Sequence, residues 1–189
     1  MAREMALLVL ASKSPRRREI LQMAGLTFEV RTAEVEEIPQ VGETPVAYVR
    51  RLALSKARAV PAVEGEVVLG ADTVVVVDEK ILEKPADAAD ACRMLALLAG
   101  RTHEVVTGIC LLGQGREVLD HAVTKVRFGA WSVEEIAAYA ATGEPMDKAG
   151  AYGIQGVASR WVDGIDGCYF NVVGLPLSLV YRRLKEFTE

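Results

Sequence analysis

The chain has 189 residues, 51% of them hydrophobic and 25% charged, with a formal net charge of −4. That length can bury the core of one domain spanning 1–189, and the acidic balance excludes a broad nucleic-acid surface, so a local basic cluster points to a small anion. No run approaches the ~20 apolar residues of a membrane span, and Arg3 and Glu4 precede a short apolar run with no small-residue cleavage site, so no membrane partner and a cytoplasmic location are expected.

In chain order, the apolar run 7–11 predicts a buried strand. It leads into Ser12-Lys13-Ser14-Pro15-Arg16-Arg17-Arg18, where Ser14 suits a helix N-cap, Pro15 the first helical position and Gly25 the stop. Arginines in a first turn oppose the positive end of the helix dipole, by about 0.3–1 kcal/mol each when exposed. Two readings stand. Either hydroxyls, free N–H groups and guanidinium groups gather there to bind a phosphate chain, or the run is a solvated cap.

Residues 28–31 suggest a second strand. Glu36 and Glu37, before Ile38-Pro39, form an acidic pair that can hold Mg2+ or simply face water. Thr44-Pro45 starts a helix that runs to about Val60 and carries Lys56. Residues 67–77 read as a β-branched strand broken by Gly70-Ala71-Asp72-Thr73. At that break Asp72 is a general base, a metal ligand or a turn aspartate satisfied by nearby N–H groups. Asp78-Glu79-Lys80 forms a turn, and Pro85 biases Lys84 to extended geometry.

Asp87 caps a helix with Ala91, Met94, Leu95 and Leu98 on one face, ended by Gly100. Strands at 103–112 and 117–128 follow, joined through Gly113-Gln114-Gly115-Arg116 as a hairpin. Ser132 and Glu135 make a capping box for a helix over 133–142, with Gly143 at its end. Residues 144–171 read as a functional loop with short strands, and a last helix starts at Pro176. Cys92, Cys110 and Cys168 lack zinc-site spacing, and His103 and His121 lie near strands, so all five are expected to be packing residues.

The segment from Gly143 to Gly156 has glycines for close backbone approach, with Asp147, Lys148 and Gln155 among them. Its spacing is not a dinucleotide fingerprint, and the chain has no Walker A motif. Ala11-Ser12-Lys13-Ser14-Pro15-Arg16-Arg17, Gly70-Ala71-Asp72-Thr73, Glu83-Lys84-Pro85, the stretch from Asp147 to Gly156, and Asn171-Val172-Val173-Gly174-Leu175-Pro176-Leu177 stand in one order. In that order the chain resembles the Maf family of nucleoside triphosphate pyrophosphatases over nearly its whole length. Its Pro-Arg-Arg, Gly-Ala-Asp-Thr and Gly-Ile-Gln-Gly motifs look like the branch that hydrolyses dTTP and UTP.

The resemblance implies an α/β fold with an elongated mixed sheet and flanking helices, in two lobes around a cleft, related to inosine triphosphate pyrophosphatases and often homodimeric. It implies a nucleoside triphosphate substrate and dependence on Mg2+ or Mn2+. By family match Asp72 is the proton acceptor, and Arg16, Thr73 and Gln155 are tied to substrate choice. Ser12, Ser14, Arg17, Lys56, Lys84, Asp147 and Lys148 match other polar positions of the cleft, and Glu36 joins Asp72 as the expected metal ligand. Two rivals are a sibling acting on another modified nucleotide such as 7-methyl-GTP, and a non-catalytic nucleotide-binding regulator of septum formation. Intact Asp72 and Glu36 argue against the second.

Overall fold

The computed structural model describes residues 7–187, so Arg3 and Glu4 lie outside the described residues. The chain opens with a parallel β-α-β unit. Strand β1 (Leu7–Leu10) pairs in parallel with β2 (Phe28–Val30), Leu8 opposite Phe28. On its other edge it pairs in parallel with β3 (Glu66–Val77), Leu8 opposite Val67. A strand with parallel neighbours is typically covered on both faces, which explains an unbroken apolar run in place of alternation. Helix α1 (Pro15–Met23) makes the crossover. The Ser14 hydroxyl accepts from Arg17 N, Pro15 opens the first turn, and Gly25 at φ +69° supplies left-handed backbone past its end.

Helix α2 (Pro45–Arg58) is capped by Thr44, whose hydroxyl accepts from Ala47 N at 3.2 Å. Its backbone lies against two strand glycines, Gly70 of β3 and Gly108 of β5 (Thr102–Gly113). A Cβ on Gly70 would stand 2.1 Å from Ala53 O, and one on Gly108 2.4 Å from Val49 O. The expected break in the strand is thereby corrected. β3 runs through Gly70 and Asp72 for 12 residues, and the glycine is there because the helix backbone occupies the space of a side chain.

β3 turns through Asp78 and Glu79, at φ 49° and 62°, into the antiparallel β4 (Lys80–Leu82). Two successive left-handed residues give a hairpin whose twist matches its strands. In α3 (Ala88–Leu98), Asp87 Oδ1 accepts from Asp90 N at 2.8 Å. β5 and β6 (Arg116–Phe128) form the expected hairpin through Gln114 and Gly115, and α4 (Val133–Ala140) carries both bonds of the Ser132–Glu135 capping box. The segment 144–171 is more regular than expected. Three short 3-10 turns, Glu144–Asp147, Ala149–Ala151 and Val157–Trp161, precede β7 (Val162–Asp166), which pairs antiparallel with β6. Helices α5 (Tyr169–Val173) and α6 (Leu177–Leu184) and a 3-10 turn at Lys185–Phe187 complete the order.

The strands form one seven-stranded mixed sheet in the order β2-β1-β3-β5-β6-β7, with β4 beside β3. The result is the α/β class, with the sheet and helices the sequence leads one to expect. The chain divides into two compact units, to both of which β3, β5 and β6 contribute residues. The first holds the described parts of 1–72 and 174–189 together with 107–122, and packs Val9, Ala53, Ala57, Val68 and Cys110 into one cluster.

The second unit holds 73–106 and 123–173, with a core of α3 and α4 side chains around Phe128, Trp131, Tyr139 and Tyr152. Trp131 stacks on Trp161 with centroids 3.8 Å apart, and Phe128 meets His103 and Tyr152 edge-on at 4.8 and 4.7 Å. His103 is a packing residue. It is buried with Nε2 2.7 Å from the Tyr152 hydroxyl, and desolvation lowers its pKa to about 4. Burial pushes the Cys110 thiol up to about 12, and all three cysteines are free. Among the described residues no helix is long and apolar enough to cross a membrane.

Candidate active site

In the first unit the helix start and the middle of β3 are joined through one side chain. Arg17 points inward and is 8% exposed. Its Nε donates to Gly174 O at 2.8 Å, and its Nη1 donates to Ala71 O at 2.9 Å and Ser12 Oγ at 3.0 Å. Ser12 Oγ also accepts from Ser14 N at 3.2 Å, so both its lone pairs are engaged within the chain. The electrostatic difficulty posed by arginines in a first turn is met here by carbonyl oxygens and by the nearby charges of Asp72 and Glu37, not by a ligand alone. Arg17, Ser12 and Ser14 are thus bonded to one another and to the backbone at Ala71 and Gly174. Arg16, beside them, is half-buried.

Asp72 is 7% exposed on β3, directly after the carbonyl that Arg17 holds. Its Oδ1 accepts from Lys56 Nζ at 2.6 Å, and the same ammonium lies 2.7 Å from Glu37 Oε1. Burial raises the Asp72 pKa, and Glu37 pushes it the same way, while Lys56 and Arg17 oppose the rise. Helix α2 organises this group. Tyr48 and Lys56 lie two turns apart on one face, and the Tyr48 hydroxyl donates to Glu37 O at 3.3 Å. Arg51 on the same helix donates to Ile38 O at 2.9 Å, so the irregular stretch is pinned at Glu37 and at the residue after it.

In the second unit, Thr73 follows Asp72 along β3 and is half-buried, while Lys84 is exposed after β4. Glu83 O accepts from Gly150 N at 3.0 Å, which ties the backbone just before Lys84 to the 3-10 turn at Ala149–Ala151. Lys148 Nζ lies 2.7 Å from Asp147 Oδ1 and donates to Glu144 O at 2.6 Å. Gln155 is exposed on a turn closed by Gly156 N donating to Gly153 O at 3.0 Å.

Residues 7–187 match the family described as Maf-like protein. The chain belongs to the Maf family. This Maf-like protein is 56% identical over 179 residues to the dTTP/UTP pyrophosphatase of Koribacter versatilis, covering 94% of the chain and 93% of that relative. It is 51% identical over 181 residues to the dTTP/UTP pyrophosphatase of Symbiobacterium thermophilum, covering 95% and 93%. The dTTP/UTP pyrophosphatase of Bacillus cytotoxicus is 49% identical over 180 residues, covering 95% and 94%. Among solved structures, the nucleoside-triphosphatase / dITP/XTP pyrophosphatase of Mycobacterium abscessus aligns at a TM-score of 0.45 and 16% identity, covering 95% of each chain.

Two features of this Maf-like protein escape sequence reasoning. Glu36, the expected partner of Asp72, and its neighbour Glu37 are both exposed, and of the two it is Glu37 whose carboxylate meets Lys56. Adjacent glutamates in an irregular segment have no period to separate them, and the only signal is indirect, through Tyr48 on the helix face that carries Lys56. The second feature is Glu144 with Tyr139, whose hydroxyl donates to Glu144 Oε1 at 3.0 Å. The sequence marks that place only by Gly143, which ends the helix between them.

Proposed function

We propose that this protein hydrolyses dTTP and UTP between the α- and β-phosphates, releasing a nucleoside monophosphate and pyrophosphate. The observation that carries the reading is the buried Asp72 carboxylate held by Lys56, on a chain about half identical to three relatives bearing that activity in their names. Burial makes Asp72 a stronger base than an ordinary aspartate, while Lys56 and Arg17 favour its ionised form. Lys56 engages Oδ1, and Oδ2 is the oxygen we assign to take the proton of the attacking water. The water oxygen bonds to the α-phosphorus, the bond from that phosphorus to the bridging oxygen breaks, and pyrophosphate leaves with the electron pair. Arg16, Lys84 and Lys148 are the cations assigned to phosphate oxygens, with Asp147 orienting Lys148. Thr73 and Gln155 are assigned to the pyrimidine edge, where a wrong base leaves polar groups unpaired.

A divalent cation fits this reading. Carboxylate oxygens of Asp72 and Glu37 converge on a single ammonium, and they are hard donors of the kind Mg2+ or Mn2+ takes. Among the described residues no three or more His, Cys, Asp or Glu gather as a metal site, so Asp72 and Glu37 would hold the ion together with substrate phosphates. When bound, such an ion offsets negative charge on phosphate oxygens. The same reading makes free nucleotide the partner, in keeping with the net charge of −4, in the cytoplasm where that pool lies, with a homodimer as the expected assembly.

Pyrophosphate release from dTTP, UTP, dCTP, ATP and 7-methyl-GTP tests the proposal. Turnover should be greatest with dTTP and UTP. A preference for 7-methyl-GTP replaces the substrate assignment, and nucleotide binding without turnover of any member replaces catalysis with regulation.

A further inference from the structure

The turn that presents Gln155 is held by two groups with no assigned role, Tyr139 and Glu144. Its two glycines face side chains. A Cβ on Gly156 would lie 1.9 Å from Glu144 Oε1, and one on Gly153 would lie 2.7 Å from Lys148 Cε. The Glu144 carboxylate therefore occupies the place of a side chain at Gly156. Its Oε1 accepts from the Tyr139 hydroxyl at 3.0 Å, and its Oε2 accepts from Val157 N at 3.4 Å. The backbone of Gly153 hydrogen-bonds to the same Tyr139 hydroxyl, whose pKa is raised by burial and by Glu144. Both ends of the turn are thus fastened to one Tyr–Glu pair, at Gly153 through Tyr139 and at Val157 through Glu144.

The pair is itself anchored. Tyr139 is 2% exposed and its ring packs on Trp131 at 5.7 Å, while Glu144 N donates to Thr142 Oγ1 at 3.1 Å and Glu144 O receives Lys148 Nζ. A carboxylate that only solvated a helix end would not accept from both a backbone N–H, that of Val157, and the buried Tyr139 hydroxyl. An exposed glutamine on a free turn would sample many positions and discriminate weakly between bases, because selection by an amide needs its oxygen and nitrogen fixed in place.

We infer that Glu144 and Tyr139 are positioning residues for nucleobase selection, holding the Gly153–Gly156 turn so that Gln155 meets the pyrimidine edge. The inference rests on the assignment of Gln155 to the base. Losing the clamp leaves Asp72 and Lys56 as they are and loosens the turn that carries the reader. The effect therefore belongs in the ratio of kcat/KM for dTTP to that for dCTP, with KM for dTTP rising more than kcat falls.

The test compares Glu144→Ala, Glu144→Gln, Tyr139→Phe, Gln155→Ala and the double variant Glu144→Ala/Gln155→Ala. Each is assayed with dTTP and dCTP, and amide hydrogen exchange is followed across 153–157. Glu144→Ala and Tyr139→Phe should each lower the dTTP preference by about tenfold, and exchange at 153–157 should quicken. Glu144→Gln, which keeps an acceptor for the tyrosine, should restore most of the preference, and the double variant should match Gln155→Ala alone. If Gln155→Ala relaxes selection while Glu144→Ala and Tyr139→Phe do not, the clamp is refuted and the base assignment stands. If Gln155→Ala itself leaves selection intact, the base assignment fails and the positioning role falls with it.

Discussion

In the first unit Arg17 and Asp72 are buried as charges, the guanidinium answered by Ala71 O, Gly174 O and Ser12 Oγ and the carboxylate by Lys56. In the second unit the buried polar groups are neutral. His103 bonds to Tyr152 and meets Phe128 edge-on, and Asn171 Nδ2 donates to Val105 O and Thr124 Oγ1. Removing a charge from water carries a penalty of several kcal/mol that hydrophobic residues of similar shape avoid, so a charged network is a poor way to gain stability. The charged group on α1 and β3 is where the proposed proton transfer is assigned. The aromatic unit shows the opposite solution, a stiff core from which exposed residues such as Gln155 are presented.

The strongest way to break this contrast is Asp72→Asn. We expect kcat to fall by about 10²- to 10⁴-fold while the melting temperature does not fall. Burial raises the Asp72 pKa, so its ionised form is disfavoured by folding at neutral pH, and the neutral amide removes that penalty. Full activity in this variant would remove the chemical reason for the buried charge. Next comes Arg17→Met, which leaves Asp72 with one cation fewer and three acceptors without their donor. Urea unfolding should show a loss of about 3–5 kcal/mol, and Arg17→Lys should not recover it, since an ammonium lacks the planar fork.

The neutral unit has its own signature in acid. With the folded His103 pKa near 4 and an ordinary value of 6.5, the unfolded chain binds a proton that the native state refuses across that window. Stability should therefore fall as pH drops from 6.5 to 4, by about 3 kcal/mol more in the wild-type protein than in His103→Gln. Equal slopes in urea melts of the two proteins would contradict a neutral, desolvated histidine. The smallest expected effect sharpens the charged side. Lys56→Met removes a cation from Asp72, so the acid limb of kcat/KM should move to higher pH by about one unit. An unmoved limb would assign that limb to another group.

The helix caps and stops were readable because they depend on a few neighbouring residues: Ser14-Pro15, Thr44-Pro45, Asp87 and the Ser132–Glu135 box all cap where expected. Asp72, Lys56 and Ser12 were legible as candidates, since an aspartate in an apolar strand needs a partner. Glu37 was legible only as one of a pair. Gly70 was misread as a strand break because a glycine needed for close helix approach looks, in one dimension, the same as one needed for a turn. The 3-10 turns of 144–161 and the clamp on Gln155 were not legible. They are built from contacts such as Glu144 with Val157 that no periodic pattern announces.

By itself the sequence determined the order and type of the long strands and capped helices, their apolar faces and the set of polar residues available for phosphate chemistry, because these follow from local backbone preference and side-chain period. Only the tertiary structure decided which of these residues meet. It turned Arg17 inward onto carbonyls, chose Glu37 over Glu36 for Lys56, and set Glu144 against Gly156. Those choices depend on where helix α2 and the 144–157 segment come to rest, and packing against distant residues fixes that placement.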